Sequence, residues 1–400
     1  MTHTKQRILV VGGGFGGVKA ALELSEEPQF AVTLISDQPF FSYHPTLFHT
    51  ATGGSSAQSH IPLATIFAGR PITIVHATAD HLDRAKQRII TSDGTSYPYD
   101  KLVLALGVVD NYFGIEGLQD FSYGIKTFAQ AQRFKAHLHQ QLTDEHKPDL
   151  NYVIVGGGPT GIELAGALPM YLKRIMKKHG VRGRKVHIDL VEAAPALCPR
   201  LPKEMGEAIA RRLKRLGVRV YLGKAVQGQT ADALMVDGKP IQSHTVVWTA
   251  GTANHPFFKA NDFAVQEHGG RVMVNKYLQA EPDIYVIGDN ADTPYTGMAQ
   301  TALHDADFVA VHLYRELHGK KLLPYKPKKP IYVTPAGPHW AAVLWGKVQL
   351  YGWVGWLLRN AADIRGYHDL ESCWLTTKQF MTEFETEESC PVCATKSANA

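Results

Sequence analysis

Glycines spaced to hold a pyrophosphate occur twice in this chain, 144 residues apart: Gly12-Gly13-Gly14-Phe15-Gly16-Gly17 and Gly156-Gly157-Gly158-Pro159-Thr160-Gly161. In such a turn the first glycine permits the tight bend. The middle one lets the backbone approach a phosphate, and the last lets the next helix pack on the preceding strand. A helix starting there aims its free N–H groups and the positive end of its dipole at the phosphate. One such turn is a weak signal. Here each follows a β-branched run, Ile8-Leu9-Val10-Val11 or Tyr152-Val153-Ile154-Val155, and each opens a helix-like stretch, 18–25 or 162–171. Two in full context imply two dinucleotides on one chain. A flavin and a nicotinamide are the natural pair, because hydride must pass between two cofactors.

Polar groups follow at the places where such ligands need them. The run Ala31-Val32-Thr33-Leu34-Ile35 ends in Ser36-Asp37, about 20 residues past the first glycines, where an adenosine ribose would lie. Asp37 falls one place later than the usual acid, so Ser36 can share the contact; a plain turn start is the other reading. Glu192 ends the matching strand of the second unit, where a carboxylate bonds a ribose 2′-hydroxyl and repels a 2′-phosphate, favouring NADH over NADPH. Glu163 lies two residues past Gly161, on the first helical turn. There it is either a carboxylate satisfying the helix dipole or a group that orients nicotinamide and relays a proton. Asp289 closes Asp283-Ile284-Tyr285-Val286-Ile287-Gly288-Asp289, placed to accept from ribityl hydroxyls or to cap the next helix. Gln300 and His304 are four apart and share a face if helical.

The elements that must position these groups repeat a plan. The first unit has strand-like runs at 72–75 and 101–105, the latter closing at Leu106-Gly107. A polar helix over 128–146 leads into the second glycine turn. Then come a strand at 186–191, an amphipathic helix at 204–216, a strand at 218–222, and the closing run Thr245-Val246-Val247-Trp248-Thr249-Ala250-Gly251. The expected fold is α/β: two Rossmann-like dinucleotide-binding domains, an FAD domain with an inserted NAD domain, plus a small C-terminal region. The boundaries read as 1–120 with 252–325 for FAD, 121–251 for NAD(H), and 326–400 for the remainder, after the basic, proline-rich stretch 324–330.

In this order the motifs resemble the two-dinucleotide-binding-domain flavoproteins, and most closely the type II (non-proton-pumping) NADH dehydrogenases, over roughly residues 5–325. The resemblance implies FAD and NADH as cofactors and a quinone as acceptor. It implies that Pro45, Thr46 and Leu47 begin a segment beside the flavin ring. Ala105, Leu106 and Gly107, with Ala250 and Gly251, match the small-residue turns where chain crosses between domains. Gly288 and Asp289 match the flavin ribityl and phosphate motif, and Glu163 matches a glutamate near nicotinamide and flavin. Ala299-Gln300-Thr301-Ala302-Leu303-His304 is similar to the family's AQxAxQ quinone motif, with His304 in place of its last glutamine. On this reading the FAD site uses Gly12, Gly14, Phe15, Gly16, Gly17, Ser36, Asp37, Ala299 and Gln300 as well. The NADH site uses Gly156, Gly158, Pro159, Thr160, Gly161, Glu163, Glu192, Ala250 and Gly251. Glu163, Gln300 and His304 are the candidate catalytic residues.

Composition narrows the rest. A hydrophobic fraction of 44% and a charged fraction of 20% are those of an ordinary globular chain, and a net charge of +5 without long basic runs argues against nucleic acid as a partner. The first strand begins within ten residues of Met1, so no signal peptide is expected and the cytoplasm is the default compartment. The first helix carries no cysteine pair, which argues against dithiol chemistry; Cys390-Pro391-Val392-Cys393 in an expected loose tail reads as incidental, and no metal site is expected. Four of the six tryptophans fall in 340–356, read as two short strands, 341–344 and 348–351, then a helix over 353–364. Such a cluster suits a membrane surface, and equally a core or a dimer contact. The chain therefore reads as an NADH dehydrogenase passing electrons to a quinone, with peripheral membrane contact. A soluble reductase using oxygen or a small redox protein and an NADH-responsive redox sensor are the alternatives.

Overall fold

The computed structural model describes residues 5–144, 149–267 and 269–370. The Cys390/Cys393 pair and the expected loose tail lie outside them.

Two sheets organise the chain. The first has six strands in the order Gln279–Glu281, Ile284–Val286, Lys101–Leu104, Gln6–Val11, Phe30–Ser36 and Ile72–His76. All neighbours are parallel except the first pair. The second is parallel throughout, in the order Val218–Leu222, His187–Glu192, Asn151–Val155 and Thr245–Trp248. In each, the strand that enters a glycine turn is flanked by the next strand on one side and by the closing strand on the other. Such a reversal of strand order opens a crevice at the carboxyl ends of the strands. Both units also carry a three-stranded antiparallel meander, at 79–98 and 226–242.

The strands alternate little because both faces are covered: Ile8, Leu9, Val10 and Val11 are all buried, as are Tyr152, Val153, Ile154 and Val155. Helix Phe15–Ser25 packs between its sheet and helix Ala299–Leu317. Helix Pro159–Lys178 runs about two turns past the expected end of 162–171, straight through Pro169. Its buried stripe of Leu164, Leu168, Leu172 and Ile175 supplies the packing that outweighs the hydrogen bond lost at proline.

Chain crosses between the units through an antiparallel pair, Val108–Asp110 with Thr252–Asn254. Beyond 320 an extended segment leads to a hairpin sheet of Tyr332–Pro335, Ala341–Trp345 and Val348–Gly352, then helix Trp353–His368. The hairpin seats on the second unit, where a Cβ on Gly166 would lie 2.3 Å from the Gly337 nitrogen. Trp345, Val348, Trp353, Val354, Leu357 and Ile364 are left exposed.

Candidate active site

The two glycine turns have the same geometry to the level of individual bonds. Gly12 and Gly156 both have φ +116°. Each donates its N–H to the neighbouring strand, Gly12 to the Ile35 carbonyl and Gly156 to that of Val191, both at 2.8 Å. The closing strands match too: Ala105 donates to the Val11 carbonyl and Thr249 to that of Val155, both at 2.8 Å. A Cβ on Gly17 would lie 1.8 Å from the Gly12 oxygen, and one on Gly161 would lie 1.9 Å from the Gly156 oxygen. The middle glycines are the opposite case: a Cβ on Gly14 or Gly158 would meet nothing within 4 Å. Both caps, Gly14 and Gly158, are extended and lack any side-chain bond to the helix N–H groups. Pro159 and Thr160 stand exposed beside the second opening. Crowded outer glycines, an open middle and uncapped helix ends together make a cradle for a pyrophosphate. The pyrophosphate of a dinucleotide fits each of these cradles.

The closing turns brace them. A Cβ on Gly12 would lie 2.2 Å from the Ala105 oxygen, and one on Gly156 would lie 2.8 Å from the Ala250 nitrogen. Leu106 packs beneath as a half-buried side chain. The Asn290 carboxamide accepts from the Gly107 N–H at 2.8 Å and donates back to the Gly107 carbonyl and to Asn254 Oδ1 at 2.6 Å. Gly251 accepts from the Asn111 N–H at 3.2 Å. Asn290 thus ties the first closing turn to the crossing ribbon through bonds that no local spacing pointed to.

At the strand ends the two units differ. The Ser36 hydroxyl is buried and donates to the Gln38 carbonyl at 2.7 Å, so it is spent within its own turn. Asp37 remains exposed as the free carboxylate at that end. Glu192 accepts from the Gly157 N–H at 2.5 Å and from the Ala194 N–H at 2.6 Å, which fixes its carboxylate against the second glycine turn.

Around the expected ring position, Phe15 meets Phe41 edge to face at 4.9 Å, and Gly16 packs against Ile287. Thr46 and Leu47 are buried, and the Pro45 carbonyl accepts from Arg359 Nη2 at 3.0 Å. Arg359 also pairs with Asp363, whose other oxygen accepts from the Tyr43 hydroxyl at 3.0 Å. Tyr43 stacks on Tyr367 with centroids 4.2 Å apart. The last helix therefore grips the 43–47 segment from across the chain, through residues that no local spacing pointed to. Glu163 sits in the same region. Burial pushes its carboxyl up to about 8, against the weaker opposing pull of the Arg359 guanidinium. Asp289 accepts from the Gly297 N–H at 3.1 Å, and burial pushes it above the usual carboxylate range, offset in part by Arg271.

The model of the pyridine nucleotide-disulphide oxidoreductases matches residues 6–306. The chain belongs to that family. Its sheets, cradles and crossing ribbon are those of a pyridine nucleotide-disulphide oxidoreductase, a family whose members use FAD and a nicotinamide nucleotide. It is 28% identical to the type II NADH:quinone oxidoreductase Ndh of Mycobacterium tuberculosis over 88% of this chain and 82% of that one. It is 24% identical to the type II NADH:quinone oxidoreductase of Staphylococcus saprophyticus over 95% of this chain and 99% of the relative. The fold matches that of NDH2 from Plasmodium falciparum, solved in complex with NADH, with a TM-score of 0.85 at 17% identity, covering 95% and 97% of the two chains. It also matches the sulfide:quinone oxidoreductase of Aquifex aeolicus with a TM-score of 0.75 at 19% identity, over 94% and 92%.

In this pyridine nucleotide-disulphide oxidoreductase the first helix, Phe15–Ser25, has no cysteine to serve as half of a flavin-side dithiol. Cys198 lies buried in the second unit, where burial pushes its thiol up to about 12. Ala299 opens helix Ala299–Leu317, so Gln300 and His304 do share a face. Their polar ends, however, are engaged by the chain itself. Gln300 donates to the Ile331 carbonyl at 3.0 Å and accepts from the Ile331 N–H at 3.1 Å. His304 donates from Nε2 to the Lys326 carbonyl at 2.9 Å. Both side chains therefore clasp the extended segment 320–331, whose backbone offers bonds that a side-chain pattern cannot reveal.

Proposed function

We propose that the protein is an FAD-dependent NADH:quinone oxidoreductase of the type II kind. The observation that carries this reading is the pair of matching phosphate cradles at the carboxyl ends of two sheets. When bound, FAD supplies a ring that accepts hydride and passes on two electrons, and NADH supplies the hydride. The chain supplies the rest. The uncapped N–H groups of helix Phe15–Ser25 and helix Pro159–Lys178 would hold the two pyrophosphates. Asp37 and Glu192 would hold the two adenosine riboses, and Asp289 would accept from the ribityl chain. The Pro45 segment, held by Arg359, forms a wall of the ring site. Glu163 holds a proton on its carboxyl oxygen at neutral pH and can donate it as charge builds on the acceptor side.

Steady-state turnover of detergent-free protein with NADH and a soluble quinone tests the reading. Fast quinone reduction supports it. Turnover that needs oxygen or a small redox protein favours the soluble-reductase alternative, and the clasped state of Gln300 and His304 is the observation on that side. A single slow reduction without turnover marks a sensor.

Nucleotide choice follows from Glu192. Its carboxylate is fixed beside the glycine turn and the residues after it, Ala193-Ala194-Pro195, carry no cation. NADH should be preferred over NADPH by at least about tenfold in kcat/KM, the ~1.4 kcal/mol that one charged hydrogen bond supplies. Glu192→Ala should narrow the gap; equal kinetics with NADPH in the parent protein would remove this assignment.

The acceptor side separates by half reaction. Gln300→Ala and His304→Ala should slow reoxidation of the flavin by quinone and leave its reduction by NADH nearly unchanged in stopped flow. The reverse pattern would make both residues supports of the flavin pocket, with the acceptor elsewhere.

Among the described residues no helix is long and apolar enough to cross a membrane. Peripheral contact is supported by the exposed Trp345, Trp353, Val354 and Leu357. Cosedimentation with phospholipid vesicles should fall when Trp345 and Trp353 are changed to serine; unchanged cosedimentation would assign that face to another contact.

A further inference from the structure

The extended segment 320–331 is strapped to helix Ala299–Leu317 at three places. Gln300 bonds the Ile331 backbone at both ends of its amide, and His304 bonds the Lys326 carbonyl. The third is the Tyr325 hydroxyl, which donates to Asp305 Oδ1 at 2.6 Å. Tyr325 is itself well fixed: its N–H donates to the Lys276 carbonyl at 2.7 Å, and its ring meets Phe308 edge to face at 5.2 Å.

Asp305 differs from its two neighbours in what its other oxygen does. It accepts from the Gly288 N–H at 3.0 Å, the first residue of the Gly288-Asp289 turn. Gly288 has φ +67°, and its carbonyl accepts from the Thr296 hydroxyl at 3.1 Å. The peptide groups on both sides of Gly288 are therefore pinned, and the direction of the Asp289 side chain follows from them.

A carboxyl group is an expensive choice for mere packing here. Asp305 is fully buried, and no lysine or arginine pairs with it among the described residues. Burial pushes its carboxyl up to about 6, opposed by the bonds from Tyr325 and Gly288 and by nearby His304, with Asp289 adding to the rise. Burying an acid without a cation opposes folding unless donors surround it. Two donors do, one from the strap and one from the turn. An apolar side chain of similar size would fill the space and hold neither.

We propose that Asp305 and Tyr325 form a positioning pair for the flavin, fixing through the Gly288 amide the turn that aims Asp289 at the ribityl chain. This inference rests on the FAD reading above and concerns residues outside the glycine cradle. Neither residue touches the reacting atoms, so their effect appears first in flavin affinity.

The test titrates apoprotein with FAD, following flavin fluorescence quenching and the visible absorption bands, for the parent, Asp305→Ala, Asp305→Asn and Tyr325→Phe. Thermal unfolding of each apoprotein is measured alongside. Asp305→Ala should weaken FAD binding by about thirtyfold, the size of a lost charge-assisted hydrogen bond. Asp305→Asn keeps an acceptor for the Gly288 N–H and a donor for the Tyr325 oxygen. It should recover affinity to within about threefold of the parent and restore the parent absorption bands. Tyr325→Phe should fall between. Binding by Asp305→Ala within about twofold of the parent overturns the proposal, as does an Asn variant as weak as the Ala one. Should the Ala apoprotein not fold, the Asn and Phe variants decide by the same criteria. A parent protein that takes up no FAD would overturn the functional reading as well, whereas a parent that binds it normally beside unaffected variants overturns this inference alone.

Discussion

Gly17→Ala protein will purify nearly colourless, and Gly161→Ala protein will purify yellow but will scarcely respond to NADH. The reasoning is the same at both sites. An added Cβ would stand 1.8 Å from the Gly12 oxygen or 1.9 Å from that of Gly156, less than any real contact. Helix and strand must separate by more than 1 Å, and the uncapped N–H groups move off the phosphate position. A loss of affinity of about a hundredfold is expected at each, equal to roughly 2.7 kcal/mol. Because the two cradles lie on different sheets, the losses should be separable. Flavin content by absorbance, and reduction by NADH against reduction by dithionite, read them independently. If each variant lost both properties to the same degree, the assignment of one cradle to each cofactor would fail.

The second large effect concerns Glu163. Its carboxyl stays protonated up to about 8 because burial opposes its charge. A proton held there is available at neutral pH and disappears above that value. Reoxidation of the flavin by quinone should therefore slow as pH rises past about 8. Glu163→Gln should be slower by about a hundredfold at neutral pH, the usual size of a general-acid contribution, and should lose the alkaline inflection. Stability follows the same group. Its folded pKa lies above the ordinary 4.5, so its stabilising contribution is full below 4.5 and is lost as pH rises through about 8. The glutamine variant never ionises, so its melting temperature should decline less across that window. A Gln variant with the parent's rate and pH profile would reduce Glu163 to a partner of the helix dipole.

Much of this was legible in the chain because it depends on neighbours in sequence. A glycine turn declares itself through three positions and the strand before it, so Gly12, Gly14, Gly17, Gly156, Gly158 and Gly161 could be assigned jobs without a partner in view. The C-terminal hairpin and helix were legible for the same reason: β-branched and aromatic runs broken by Gly346 and Gly352. What stayed hidden was every contact made across the chain. Arg359 reaches Pro45 over 314 positions and Tyr43 reaches Asp363 over 320, and neither pair has a spacing to read. Ser36 was legible as a strand end but not as a hydroxyl already spent on Gln38. Gln300 and His304 were legible as a pair on one helix face. Their partners are backbone groups of 326 and 331, and backbone groups carry no residue signature.

The first sheet is assembled from strands that leave the ribosome far apart in time. Lys101–Leu104 pairs on one side with Gln6–Val11 and on the other with Ile284–Val286. Between those partners the whole four-stranded sheet of the second unit is synthesised, from Asn151–Val155 to Thr245–Trp248. The second unit's sheet is thus continuous in sequence and can close as soon as it emerges, while the first unit holds an open strand edge throughout that interval. On the proposed function, loading of the flavin would follow once Gly288 and Asp289 have arrived beside Lys101–Leu104. In the order of biosynthesis, the half of the molecule that begins first is finished last.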